Sequence, residues 1–329
     1  MAVRGTIKER DVFREMHGGE HWVIVANVEQ LMQAAEQIAT VRRECNMRVS
    51  IMMADLEDED DAAKTKSDVM KLLRSDDRHR LMILSEAGGL RDKDGRIIPL
   101  MTRKKLKEVM EGRAECIGEL PRDVRHSLPL INNALGHIPN VTMSAGDQYL
   151  KESYAYMGAG TLFVNGKFTM KKMPMNQYPI FEAMNADHVR SDKFRFRSVK
   201  ELQKGFRNHY ALYSGDIPIG GASMIPMPGK TREFAQFWAE VMGQGIGKEI
   251  ASFIPELAGD RTVYSITSDT ATKSILSGCD FFDDVGLLAE ARDRHDDRVP
   301  QHLYRYSEKR LAKKRPELFV STPEKRQMR

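Results

Sequence analysis

No run of about 18 apolar residues occurs in this 329-residue chain, which excludes a membrane-spanning helix. Cysteine is scarce. Cys45, Cys116 and Cys279 stand far apart, so no pair has metal-ligand spacing, and an odd count is a poor disulfide framework. Free thiols in a reducing cytosol are expected. An excess of one charge is also missing. The chain has 51 basic against 47 acidic side chains, a net charge of +4 that is too small for a nucleic-acid coat. Tryptophan is limited to 2 residues while methionine reaches 20, which reads as a habit of core packing. The first residues, MAVRGTIKERDVFREM, carry both charges and no apolar stretch, unlike a secretory signal. What is present, 41% hydrophobic and 30% charged residues, is the composition of a folded protein, with length for two domains.

The first half alternates apolar runs with amphipathic stretches. Residues 22–26 and 48–54 read as buried strands, and helical spacing runs from Val28 to Glu44 through Leu31, Ala34, Ile38 and Val41. DLEDEDD at 55–61 reads as a solvated loop and helix start, since acids favour the helix N-terminus and no ligand spacing is evident. A helix is expected over 62–74 and a strand over 80–84. This order implies a parallel sheet with covering helices. Asp94-Gly95 marks a hairpin turn, and Thr102 is placed to cap a helix ending before Gly112. A helix over 122–135, a strand over 139–143 and a helix over 147–156 follow.

The second half opens with a helix at 199–206. HYALYS (209–214) and IPIGGASMIPM (217–227) read as strands joined by the tight turn Ser214-Gly215-Asp216, and a third strand spans 233–241. Directly after it, MGQGIGK (242–248) opens a helix. A strand at 261–267, a helix at 269–276 and a last strand at 280–285 complete the pattern. Glycines between strand and helix let backbone N–H groups converge on an anion. A dinucleotide fold would place such a turn after its first strand, whereas this turn follows a meander.

Two resemblances follow from these residues. The order SEAGGL (85–90), DKDGRIIP (92–99), the helix opened by Thr102 and GAGTL (158–162) resembles the C-terminal lobe of the amino-acid-kinase fold. The kinase-type Lys-x-Gly-Gly phosphate loop is absent, since His17-Gly18-Gly19 precedes its strand. The lobe is thus expected to be shortened, without kinase activity, and to serve in packing, oligomerisation or regulation. The meander followed by GQGIGKEI is similar to the Gcn5-related N-acetyltransferases (GNAT), and to N-acetylglutamate synthases in particular. The fold class implied is α/β, with α+β character in the C-terminal half: a truncated amino-acid-kinase-like parallel sheet domain plus a GNAT-fold domain. The implied domains are residues 1–166 and 198–304, with a basic, methionine-rich linker at 167–197 and a basic tail at 305–329, read as a solvated end.

The resemblance implies acetyl-CoA as co-substrate and no metal. Gln244, Gly245, Ile246, Gly247 and Lys248 match the pyrophosphate loop. Trp238, Ala239 and Val241 match the strand whose main chain holds the pantetheine amide and the acetyl carbonyl. Other positions depart from the family. Met242 stands where Gln or Arg begins the loop. Ile275 falls near the tyrosine that commonly protonates the leaving thiolate, and Tyr264-Ser265-Ile266 replaces the Arg-Ser-Arg that binds glutamate.

Acetyl transfer needs a deprotonated amine, a polarised carbonyl and a proton for the thiolate. Candidate bases are Glu240 and His209, and candidate acids Tyr264 and Ser265; each also reads as a packing or surface residue, His209 above all. A dicarboxylic acceptor needs cations, and Lys200, Lys204, Arg207 and Lys273 are the candidates. The expected activity is acetylation of an amino group, with an amino acid such as L-glutamate as acceptor, in arginine biosynthesis. The alternative is a catalytically degenerate assembly, binding or regulatory protein. A cytoplasmic homo-oligomer is expected, with no membrane or nucleic-acid partner.

Overall fold

The apolar runs of the first half become strands because each is bounded by a residue that stops it or caps a helix. Asn27 ends the first run and caps the next helix, its Oδ1 accepting the N–H of Gln30 at 2.9 Å. Asp58 does the same for the next helix, accepting the N–H of Asp61 at 2.9 Å. Thr102 caps as its position predicts, accepting from the N–H of Lys105. The computed structural model describes residues 20–45, 47–73, 79–149, 159–190, 198–239, 244–259, 261–267, 269–279, 281–288 and 301–307. The chain divides into two units, Met1–Thr169 with Tyr213–Ile217, and Met170–Leu212 with Pro218–Arg329.

In the first unit, β1 (His21–Ala26), α1 (Val28–Cys45), β2 (Arg48–Met53), α2 (Glu59–Leu73) and β3 (His79–Leu84) follow in order. Then come β4 (Leu100–Thr102), α3 (Arg103–Met110), α4 (Arg122–Ala134), β5 (Asn140–Ser144) and β6 (Thr161–Val164). The six-stranded sheet has the order β2-β1-β3-β5-β6-β4. β1, β2, β3 and β5 are parallel, as expected, but β6 runs antiparallel to β5, so the sheet is mixed at that end. Trp22, Ile24, Met82 and Leu84 pack under α1, and Val23, Val25, Leu81 and Ile83 pack against the helices of the other face. Both faces are covered, which explains why these strands read as continuous apolar runs. The SEAGGL and GAGTL segments meet, since Leu90 of the first donates its N–H to Oγ1 of Thr161 in the second at 2.8 Å. The helix expected over 147–156 starts as a 3-10 turn, Gly146–Gln148; its end lies outside the described residues.

The second unit contains β7 (Thr169–Lys172), α5 (Tyr178–Arg190), α6 (Val199–Phe206), β8 (His209–Ser214), β9 (Ile217–Met227) and β10 (Thr231–Ala239). Next are α7 (Ile246–Ser252), α8 (Ile254–Ala258), β11 (Thr262–Thr267), α9 (Thr270–Ser277), β12 (Phe282–Leu288) and β13 (Gln301–Tyr306). The segment read as a linker thus carries the edge strand β7 and the helix α5. Phe181 of α5 packs on Phe206 and on His209, with ring centroids 5.2 and 4.7 Å apart.

The sheet order is β12-β13-β11-β10-β9-β8-β7. One correction concerns its end. The strand beginning near Asp280 is not the last, because β13 inserts between β11 and β12, antiparallel to both. Arg305 and Tyr306, assigned to the tail by charge, complete this strand. Tyr304 there is buried and its hydroxyl bonds Ser277 Oγ of α9 at 3.1 Å. The tail from residue 308 lies outside the described residues.

Candidate active site

β10 and β11 are parallel neighbours, yet their ladder holds only over Thr231–Glu233 against Thr262–Tyr264. Past that point no ladder joins them among the described residues. β10 continues beside β9 and β11 beside β13, so the two strands part into a fork. Ser265 sits in the crotch, 2% exposed, and its hydroxyl donates to the carbonyl of Phe234 at 3.0 Å. Tyr264, opposite Glu233, is the last paired residue.

Along the open arm, β10 carries a bulge. Ala235 faces Ser223 and Trp238 faces Gly221, so Gln236 and Phe237 oppose the single residue Ala222. Gln236 has φ 50°, the one left-handed non-glycine backbone among the described residues. Three buried side chains stand behind it. Trp238 donates its indole N–H to His209 Nε2 at 3.0 Å, and His209 Nδ1 lies 3.0 Å from Ser223 Oγ. Indole is a donor only, so Nε2 accepts and Nδ1 carries the proton toward Ser223. Ser223 in turn donates to Oε1 of Gln236. Gly221 is required, because a Cβ there would lie 2.8 Å from His209 Nε2 and 2.9 Å from Trp238 Nε1. His209 is fully buried, and desolvation holds its pKa down at about 3, so the ring is neutral.

After residues 240–243, which lie outside the described residues, Gln244 and Gly245 lead into α7. Gly245 caps that helix with φ 82°, and a Cβ there would meet nothing within 4 Å. Its backbone needs glycine and its surroundings are open. Ile246 is buried, and Lys248 is exposed. Gly247 serves packing instead, since a Cβ would lie 2.5 Å from Ile275 Cδ1 and 3.0 Å from Phe237 Cζ. Ile275 thus seals the start of α7 against α9.

The predicted residues are not all gathered here. Tyr264 and Ser265 lie at the crotch, Trp238 and Ala239 close the described part of β10 with the Trp238 ring turned to His209, and Gln244 and Gly245 precede α7. Glu240 and Val241, with Met242, lie outside the described residues. Lys200, Lys204 and Arg207 are exposed on the face of α6 opposite Leu202, Gly205 and Phe206, its packed face. Lys273 is half-buried on α9. Gln236 and Ser223 are not among the residues the sequence singles out; their signal is weak, a strand whose buried residues, Phe234 and Trp238, are four apart. No group of three His, Cys, Asp or Glu among the described residues is placed to hold a metal ion. No described helix is long and apolar enough to cross a membrane.

No family model and no curated protein sequence matches the chain. Solved structures do. N-acetylglutamate synthase from Neisseria gonorrhoeae, complexed with coenzyme A and L-arginine, aligns over 94% of this chain and 100% of its own, with 12% identity and TM-score 0.48. The IAA acetyltransferase from Bacillus cereus covers 43% of this chain and 99% of its own, with 16% identity and TM-score 0.33. A GNAT family acetyltransferase from Elizabethkingia anophelis with acetyl-CoA bound covers 44% and 99%, with 12% identity and TM-score 0.32. Likeness at this level fixes no residue's role. The fold class is the expected one, α/β with a largely parallel sheet in the first unit and α+β in the second.

Proposed function

We propose that the second unit is an acetyl-CoA-dependent N-acetyltransferase acting on an amino group, with an amino acid such as L-glutamate as the acceptor. The carrying observation is the fork, where parallel strands lose their ladder after three residue pairs, and the glycine-capped helix that follows one of them along the chain. Strand edges that no longer bond each other present main-chain amides to a ligand, as in strand addition. An extended chain with two amides, such as pantetheine, suits that edge. The open turn at Gln244-Gly245, with exposed Lys248 one turn on, suits its pyrophosphate.

Acetyl-CoA supplies an activated acyl group; the chain's part is to position and polarise it. The bulge turns the N–H groups of Gln236 and Phe237 out of register with β9, which suits them to the acetyl carbonyl. His209 has both ring nitrogens engaged within the protein and no exposure, so it serves that bulge and not as the base. Glu240, next along the chain from β10, is the remaining carboxylate for an incoming ammonium, directly or through water. Tyr264, at the crotch, is the remaining hydroxyl for the departing thiolate. With glutamate as acceptor the enzyme would act in the cytoplasm, in arginine biosynthesis.

A thiol-release assay with acetyl-CoA and a panel of amino acids tests this reading, with turnover on glutamate expected. A second reading, a binding protein without catalysis, is favoured by Ile275, which packs against Gly247 and has no proton to give. Calorimetry separates the two, because acetyl-CoA binding without turnover on any amine selects the second. Absence of binding would sink both.

A further inference from the structure

Gly245 and Gly247 stand two residues apart and need glycine for opposite reasons. Gly245 has a left-handed backbone and open surroundings. Gly247 lies within α7 on an ordinary helical backbone, and what it lacks is room. A glycine there weakens a helix that alanine would favour. Its presence is set by what approaches it, since Phe237 Cζ and Ile275 Cδ1 would lie 3.0 and 2.5 Å from a Cβ.

The two side chains come from the two sides of the fork. Phe237 belongs to the β10 arm, and Ile275 to α9, which follows β11 along the chain. They converge on one point of α7. Phe234, whose carbonyl takes the Ser265 hydroxyl at the crotch, continues the lining, its ring centroid 5.7 Å from that of Phe237. The fork thus has an apolar floor on its α7 side, running from the crotch along the bulge. The other side of β10 is closed as well. Gln236 lies against Gly205 of α6, where a Cβ would be 3.0 Å from its Oε1, and the buried Trp238 is tied to His209.

In the acetyl-transfer reading, on which this inference rests, the N–H groups of Gln236 and Phe237 hold the acyl carbonyl. The acyl chain then starts within one residue of the Phe237 ring. We propose that Phe237 and Ile275, braced on Gly247, set the length of the acyl group, admitting a two-carbon chain and stopping a longer one. The brace is backbone, so the floor does not retreat as the end of a flexible side chain would. Protein interiors are packed closely enough that one added methylene is felt. In an apolar pocket it changes discrimination by about 10- to 200-fold. A carboxylate ending the acyl chain, as in malonyl-CoA or succinyl-CoA, finds no cation on this floor and is rejected for that reason as well.

The test compares acyl donors on the full chain by thiol release, with the amine that acetyl-CoA acylates fastest. In the unaltered chain kcat/KM for acetyl-CoA is expected to exceed that for propionyl-CoA by about 10- to 200-fold. Phe237→Ala and Ile275→Ala are each expected to cut this ratio about fivefold or more, with propionyl-CoA gaining in absolute terms. A role in packing alone would lower both donors alike and leave the ratio where it was. Equal use of the two donors by the unaltered chain, or an unmoved ratio in both variants, would overturn the inference. Circular dichroism identifies a variant that fails to fold, and the other then decides; should both fail, the ratio in the unaltered chain decides. No turnover with any thioester and any amine defeats the acetyl-transfer reading instead. Calorimetry then judges the floor by itself, upholding it if acetyl-CoA binds more tightly than propionyl-CoA and overturning it if the two bind equally.

Discussion

Trp238 gives its indole N–H to Nε2 of His209 across 3.0 Å, and this bond sets the direction of the others behind the bulge of β10. The proton of His209 is thereby on Nδ1, Ser223 is oriented to donate onward, and Gln236 is held at a backbone angle it would not adopt alone.

The chain of bonds predicts a graded response to cutting it. His209→Ala leaves the Trp238 donor and the Ser223 hydroxyl buried without it and opens a cavity. Each orphaned group costs about 1–3 kcal/mol, so a loss of about 3 kcal/mol or more is expected in urea unfolding. Ser223→Ala releases the Gln236 end and takes the acceptor from the buried Nδ1–H of His209, at a cost of about 1–3 kcal/mol without a cavity of ring size. In the acetyl-transfer reading Ser223→Ala lowers kcat while KM for acetyl-CoA stays close to its original value. A full kcat in a folded Ser223→Ala protein would show that the bulge needs no support from this side.

Burial of His209 also predicts acid sensitivity. Its folded-state pKa is depressed to about 3, against about 6.5 in an unfolded chain. Between those values the unfolded state binds the proton and the folded state does not, so unfolding gains from acid. The contribution is complete above about pH 6.5 and is lost as pH falls, at about 1.4 kcal/mol per pH unit down to about pH 3. Urea midpoints measured from pH 7.5 to 4.5 should fall with that slope, and His209→Gln should flatten it. An equal slope in both proteins would assign the acid sensitivity to other groups.

Gly247 and Ile275 form a coupled pair. Gly247→Val pushes new methyl groups into Ile275 and Phe237, and overpacking of this kind costs about 1–3 kcal/mol. Since the strain falls on the first turn of α7, acetyl-CoA binding measured by calorimetry should weaken as well. Combining Gly247→Val with Ile275→Ala should recover part of the loss, giving a coupling energy that a double-mutant cycle reads directly. Strict additivity would mean the two residues do not share the space.

Much of the fold is legible in the residues themselves. α1, α3 and α9 follow from apolar spacing and from the caps Asn27, Thr102 and Asp269, and α4 from apolar spacing alone, because these signals are local. The glycine turn is legible for the same reason, since Gly245 and Gly247 act on neighbours within one turn. The fork is not, because where a ladder stops depends on what each strand finds on its other side. β13 is hidden by its charge; only pairing with β11 and β12 makes QHLYRY a strand. His209 carries the right chemistry for a base, and only its burial and its partners remove it from that role.

Arg80 and Glu20 carry the last prediction. Arg80 is 3% exposed at the start of β3, its Nε 3.5 Å from Glu20 Oε2 and its guanidinium 5.1 Å from the ring centroid of Trp22. Trp22 donates its own N–H to the same oxygen at 3.1 Å, which fixes the carboxylate between them. Burial lowers the Arg80 pKa and the charge of Glu20 opposes that shift. Removing one member of such a pair leaves the other charge buried, which typically costs about 3–5 kcal/mol, whereas replacing both by apolar groups is often neutral. Glu20→Ala should therefore lower the urea midpoint more than Arg80→Met, and Glu20→Ala with Arg80→Met should restore most of what Glu20→Ala lost. If the double variant were the least stable of the three, the pair would be stabilising the fold outright.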